Sequence, residues 1–217
     1  MNGRSGTTDV LPLCQRLLAI AQSGKTFGKD SYDQERYQEI ETIALTLMSQ
    51  LGNEPIETLH NLFSAEKGYA TPKVDVRALI TKDNQVLLVQ DSRTKERSLP
   101  GRFTEVGLSP TKNIQLEVLE ETGLKVNVGP LVAIFDTQQT NSPQIFHFYK
   151  LVFYCEVQSG TFKANAEISA ASYFPWEQLP TLSKKRTTNK QLNILKNLEK
   201  DIHIDGGLSH ANKSPNN

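Results

Sequence analysis

Apolar residues first recur along the chain at helical spacing. Leu11, Cys14, Leu17, Leu18 and Ala21 mark one side of a helix that the pattern ends near Ser23-Gly24. A second helix is expected to start at Asp30 or Ser31, with Tyr37, Ile40, Ala44, Leu47, Met48 and Leu51 as its stripe and Gly52-Asn53 as its end. A short third helix, IETLHNLFS, follows Pro55. This helical unit, over 1–66, is too small to bury much alone, so its stripes call for a partner surface. The stretch 67–73, with Gly68 and Pro72, is expected to be a linker.

Beyond it the period shortens. VDVRALITKD and QVLLVQD are β runs joined by a turn at Asp83-Asn84. VNVGPLVAIFDTQ, QIFHFYKLVFYCEV and ISAASYFPW are three further strand candidates, and NKQLNILKNLEKDI, 189–202, is a final amphipathic helix. The residues after 205 are polar and expected to be disordered. Strands interleaved with helices over 74–205 predict an α/β sandwich carrying a small all-helical N-terminal domain.

Between the second and third strand regions lies SPTKNIQLEVLEETGL, residues 109–124. Ser109 suits an N-cap, Pro110 the first helical position, and Gly123 a left-handed C-terminal residue. Ile114 and Val118 can face a sheet. Glu117, Glu120 and Glu121 stand at i, i+3 and i+4, so their like charges share one flank. That spacing costs a few tenths of a kcal/mol per pair, and the anions sit toward the end the helix dipole disfavours. A hard divalent cation with oxygen ligands would offset both effects. A plain solvated acidic face remains open on spacing alone.

Composition narrows the classes. Lys+Arg and Asp+Glu each number 24 over 217 residues, so no global basic field points to nucleic acid or an anionic membrane. Residues 1–68 carry nine acidic and six basic side chains, the wrong sign for a DNA-binding unit. Cys14 and Cys155 stand alone in apolar surroundings, as reduced thiols of a cytoplasmic protein would. No apolar run approaches the roughly 20 residues that span a bilayer, and the N-terminus lacks a signal-peptide core.

The stretch SLPGRFTEVGLSPTKNIQLEVLEETGL resembles a Nudix box, the loop–helix–loop of hydrolases that act on nucleoside diphosphates linked to another group. Glu117, Val118, Glu120, Glu121, Gly123 and Leu124 match its pattern, and Leu99-Pro100-Gly101 matches the lead-in. The helical N-terminal unit followed by GYATPKVDVRALI is similar to a Nudix subgroup that includes CDP-choline and ADP-ribose pyrophosphatases. Three positions depart from the box. Arg102 stands for its first Gly, Leu108 for its first Glu, and Leu116 for the Arg before the catalytic Glu. These departures imply a strained loop and an unbraced Glu117, and leave a weak or inactive nucleotide-binding module as the alternative to an active enzyme.

The resemblance implies a metal-dependent hydrolase cleaving a pyrophosphate bond to a nucleoside monophosphate and a phosphorylated product. It implies Mg2+ or Mn2+ on Glu117, Glu120, Glu121 and the Gly101 carbonyl, with Glu117 and Glu120 catalytic. Glu167, in ANAEISAASYF, is the candidate general base outside the box. Arg77, His147, Tyr149 and Lys150 are candidate substrate contacts; on a strand, His147 and Tyr149 would share one face and Lys150 take the other. The expected partners are a nucleoside diphosphate derivative and a second copy in a homodimer, with no nucleic acid and no membrane.

Overall fold

The computed structural model describes residues 10–52, 54–139, 144–198 and 201–206. The residues expected to form a disordered tail lie, from 207 onward, outside the described residues. The described residues fall into two compact units, one within 1–73 with 143–147, the other within 74–142 with 148–217.

In the first unit, helices α1 (Val10–Phe27), α2 (Ser31–Gly52) and α3 (Ile56–Ser64) pack around Cys14, Leu18, Ala44, Leu45, Met48 and Leu59. α1 runs one turn past the expected stop at Ser23-Gly24. Gly24 does not end the helix because its missing side chain serves packing instead: a Cβ there would overlap the Tyr37 ring of α2. Asp30 caps α2, its carboxylate accepting from the backbone N–H of Tyr32 at 2.9 Å and Asp33 at 3.2 Å. Residues 144–147 belong here rather than to the strand that the pattern placed over them. Gln15 Nε2 donates to the Gln144 and Ile145 carbonyls at 2.8 and 2.9 Å, and the Phe63 and Phe146 rings meet at 4.8 Å.

The second unit holds two sheets. Strands β1 (Lys73–Leu79), β5 (Leu124–Asp136), β6 (Phe148–Gly160) and β8 (His203–Ile204) form one, in the order β1-β6-β5-β8. In the other, β3 (Gln85–Asp91) pairs with β2 (Thr81–Lys82), β4 (Arg97–Ser98) and β7 (Ile168–Pro175). The run expected as one strand over 74–83 is cut at Ile80, and its halves join different sheets. Asp83 and Asn84, at φ 49° and 59°, turn β2 into β3; such left-handed pairs suit the twist of a two-residue hairpin. β5 carries Gly129-Pro130 where its pairing with β6 skips between Val128 and Leu131, a place that needs no proline N–H.

The strand residues alternate between two cores. Val76, Ala78, Leu87, Phe153 and Cys155 pack with Ile114 and Val118 of helix α4 (Pro110–Thr122). Leu79, Val86, Leu88 and Val152 pack with Leu192 and Leu195 of α5 (Asn189–Lys196). Helices on both faces explain why β3 reads as continuous apolar sequence rather than alternating. α5 is shorter than the expected 189–202, ending at Lys196 with Asn197 as its C-cap, and β8 begins at His203, just past the expected helix end. Both cysteines are buried and free, and burial pushes the Cys155 thiol up to about 12. Among the described residues no helix is long and apolar enough to cross a membrane.

Candidate active site

α4 forms as its local chemistry dictates. Ser109 accepts from the Lys112 N–H at 3.2 Å, Pro110 opens the helix, and Gly123 closes it at φ 74°. The packing of Ile114 and Val118 turns Glu117 and Glu121 inward, so they are only 4% and 5% exposed. Glu120, one turn position aside, has a side chain 59% exposed.

The loop before the helix is held on both sides. β1 is an edge strand, and the loop runs along it: Val76 N–H donates to the Arg102 carbonyl and Ala78 N–H to the Pro100 carbonyl, both at 2.9 Å. Gly101, between them, sits at φ 145°, and a Cβ there would overlap the Val76 carbonyl oxygen. Its N–H donates to Glu121 Oε2 at 2.9 Å, joining the loop to the helix. Asn113, buried on α4, accepts from the Glu105 N–H at 2.8 Å and donates to the Leu108 and Ser109 carbonyls.

The glycine requirement therefore falls at Gly101. Arg102 is outside the left-handed region, so the expected strain at that position is absent. Nor is Glu117 unbraced beside Leu116. Arg102 Nη1 donates to Glu117 Oε2 at 2.9 Å and to Glu120 Oε2 at 2.7 Å, while its Nη2 donates to Glu105 Oε1 at 2.6 Å. The brace comes from the loop instead of the helix.

Beneath these carboxylates lies a buried ion pair. Arg77 forks onto Asp75 through Nε and Nη2, both at 2.8 Å, and Nη1 donates to the Leu99 carbonyl at 3.1 Å. At 5% exposure Arg77 is a support for the loop and a positive charge near Glu117 and Glu121 rather than a surface contact. Its charge is not sufficient for both. Burial, then the charge of Glu117, pushes Glu121 up to about 8. Burial raises Glu117 as well, against the hydrogen bond from Arg102.

The remaining candidates separate. Lys150 is 3% exposed and donates to the Lys185 and Arg186 carbonyls at 2.6 and 2.8 Å; burial, then nearby Arg77, pulls it down to about 8. It clamps a loop rather than facing solvent. Tyr149, next along β6, is 39% exposed. His147 precedes β6 and falls in the helical unit, its carbonyl accepting from Lys73 N–H at 3.0 Å, so it does not share a strand face with Tyr149. Glu167 is exposed in the 161–167 loop, which Asn165 ties to α4 by donating to the Glu120 carbonyl at 2.8 Å.

Three features of the site lie outside the sequence expectations: Arg102 as a carboxylate partner, Asp75 as the partner of Arg77, and the loop carrying Lys184, Lys185 and Arg186. This loop is stitched to 97–99 by Ser183 N–H to the Arg97 carbonyl and by Leu99 N–H to Thr187 Oγ1, at 2.8 and 3.0 Å. Arg186 lies close enough for its charge to favour ionised Glu121. The signal available was the run of three adjacent basic residues.

Chemically, the site offers oxygen donors alone, two of them buried and under-neutralised. That donor set fits a hard divalent cation. With Arg102 seated on Glu117 and Glu120, no three His, Cys, Asp or Glu side chains among the described residues converge closely enough to hold a metal ion.

The model of the UDP-X-like, N-terminal oligomerisation domain matches residues 8–63, and that of the NUDIX domain matches residues 71–198. YjhB of Bacillus subtilis (strain 168), provisionally named an ADP-ribose pyrophosphatase, is 40% identical over 189 residues, 87% of this chain and 91% of that protein. A crystal structure of a UDP-X diphosphatase is 37% identical, covers 92% of this chain and 99% of that one, and superposes with a TM-score of 0.60. An ADP-ribose pyrophosphatase structure from Streptococcus suis 89-1591 is 33% identical, covers 62% of this chain and all of that one, at a TM-score of 0.55.

Proposed function

The chain belongs to the Nudix family, as a pyrophosphohydrolase with an N-terminal oligomerisation domain, and from that premise we propose that it cleaves the diphosphate of a nucleoside diphosphate linked to a second group. The observation that carries this reading is the buried pair Glu117 and Glu121, one helical turn apart, with Gly101 backbone locked onto Glu121. Relatives named for UDP-X and for ADP-ribose share the nucleoside diphosphate, so that moiety is the recognised part. The products are a nucleoside monophosphate and a phosphorylated partner.

Glu117, Glu120, Glu121 and the Gly101 carbonyl would hold a divalent ion, Mg2+ or Mn2+, which when bound supplies neutralisation of the diphosphate and acidifies water. Arg77 holds the Leu99 carbonyl of the loop in place and keeps Glu117 and Glu121 near a fixed positive charge. The Lys184–Arg186 loop, clamped by Lys150, presents basic side chains to anionic substrate oxygens. Tyr149 offers an exposed ring for a base to stack on. Glu167 takes the proton from the attacking water, on a loop that Asn165 anchors to the glutamate helix. The test is turnover by the purified chain of UDP-linked, CDP-linked and ADP-linked compounds, with Mg2+, Mn2+ or EDTA. Hydrolysis of none of them with either metal would refute the reading.

The helical unit is proposed to pair two copies in the cytoplasm. Leu13, Leu17 and Ile20, at i, i+4 and i+7 on α1, are 63%, 39% and 40% exposed, and Ile43 and Leu47 on α2 are 49% and 37% exposed. They lie beside the buried stripe of Cys14, Leu18 and Ala21, displaced by one residue or about 100° around the helix. An apolar second face of this kind is what a docking surface between subunits requires. Leu17→Glu is expected to convert a dimer to a monomer in light scattering without lowering the helix content. A mutant still dimeric would move the interface elsewhere.

A further inference from the structure

Arg102 occupies the position of a bridging cation. A single nitrogen, Nη1, contacts one carboxylate oxygen from Glu117 and one from Glu120, at 2.9 and 2.7 Å. Joining acidic groups from successive positions of one helix flank is the task a divalent ion would perform. Glu120 is largely exposed, and Arg102 is its one side-chain partner among the described residues. The backbone at Arg102 is outside the left-handed region, so its side chain reaches both carboxylates without a strained turn at that position.

We propose that Arg102 is a tethered counter-cation, which closes the metal-free site and must leave Glu117 and Glu120 before a divalent ion enters. It thereby sets the metal concentration at which the site fills. The inference rests on reading those carboxylates as metal ligands. An ion about 2.1 Å from the same oxygens would be in contact with the guanidinium, and two positive centres in a half-buried site repel strongly. The exchange has a direction. Glu117 is 4% exposed and has no water to retreat to, whereas the Arg102 side chain is 42% exposed. Glu105, with 56% of its side chain exposed, already pairs with Arg102 Nη2 and can keep it at the rim.

The test is Mn2+ binding by the full chain, followed through the free-Mn2+ signal in electron paramagnetic resonance. Wild type, Arg102→Ala, Arg102→Lys and Glu121→Gln are compared. Arg102→Ala is expected to bind Mn2+ about tenfold more tightly, the scale of one charge-assisted hydrogen bond. Its melting temperature should fall in EDTA and rise more on adding Mn2+ than that of wild type. Arg102→Lys should lie between the two, because one ammonium cannot fork across three carboxylates as a guanidinium does. Equal or weaker Mn2+ binding in both Arg102 variants, with binding still lost in Glu121→Gln, would overturn the counter-cation role and leave the metal site standing. Absence of Mn2+ binding in wild type and Arg102 variants alike would overturn both.

Discussion

Glutamine in place of Glu121 is expected to cut turnover by at least about a hundredfold, beyond the roughly 10–100-fold cost of losing a group that only orients a metal ligand. Glu121 is the carboxylate most firmly tied to the loop, through the Gly101 N–H, and it is 5% exposed. The same substitution should stabilise the metal-free protein in alkaline solution. Burial, with the charge of Glu117, holds Glu121 at about 8 in the folded chain, against 4.5 for the free side chain. Between those values the folded state keeps a proton that the unfolded state releases. The stability from this group is therefore fully present below about pH 4.5 and is lost as pH rises through about 8. Glutamine does not titrate, so in EDTA the mutant's melting temperature should gain on wild type between pH 5 and pH 9. A constant difference across that range would show that Glu121 is ionised throughout. Mn2+ should raise the melting temperature of wild type and leave the mutant's unchanged.

Asp75→Ala is expected to destabilise the protein by about 3–5 kcal/mol, the cost of removing one partner from a buried ion pair. Asp75 is 2% exposed and takes both ends of the Arg77 fork. Without it, Arg77 remains buried with the more distant charges of Glu117 and Glu121 as its counter-ions. The Leu99 carbonyl that Arg77 holds lies two residues before Gly101, so the loop should loosen and activity fall with stability. Replacing both partners by apolar side chains, Asp75→Leu with Arg77→Met, should recover much of the stability and little of the activity. Denaturant titration of the two variants separates these effects. A double variant as unstable as Asp75→Ala would place the cost in packing rather than charge.

The contrast between these two positions shows how far the sequence could be read. Glu121 was visible because a helix puts i and i+4 together whatever surrounds it, and because Ser109, Pro110 and Gly123 delimit that helix by local chemistry. Arg77 was visible only as a candidate substrate contact, and Asp75 not at all. Strand alternation puts residues two apart on one face but carries no sign of whether that face is wet or dry. Lys150 had the same ambiguity. A lysine amid strand residues reads as a surface contact until the loop carrying Lys185 and Arg186, 35 and 36 positions away, is found closing over it.

The box departures mislead for a related reason. Arg102 stood where the pattern called for glycine, so it implied strain; the turn in fact falls at Gly101, and the chain passes position 102 in an ordinary conformation. Leu116 implied an unsupported Glu117, yet support arrives from 15 residues upstream. The helical boundaries erred in the same way at Gly24, a residue that permits close packing between helices as readily as it ends one.

From the residues alone came the two-part organisation of the elements, the capped helix with its acidic flank, and the hairpin at Asp83-Asn84. Each depends on interactions within a few positions of the chain, where backbone geometry leaves little choice. Tertiary structure decided which cation meets the carboxylates, which charges are dry, and which strand joins which sheet at Ile80. Those outcomes depend on burial and on contacts between segments far apart in sequence, and side-chain spacing carries no record of either.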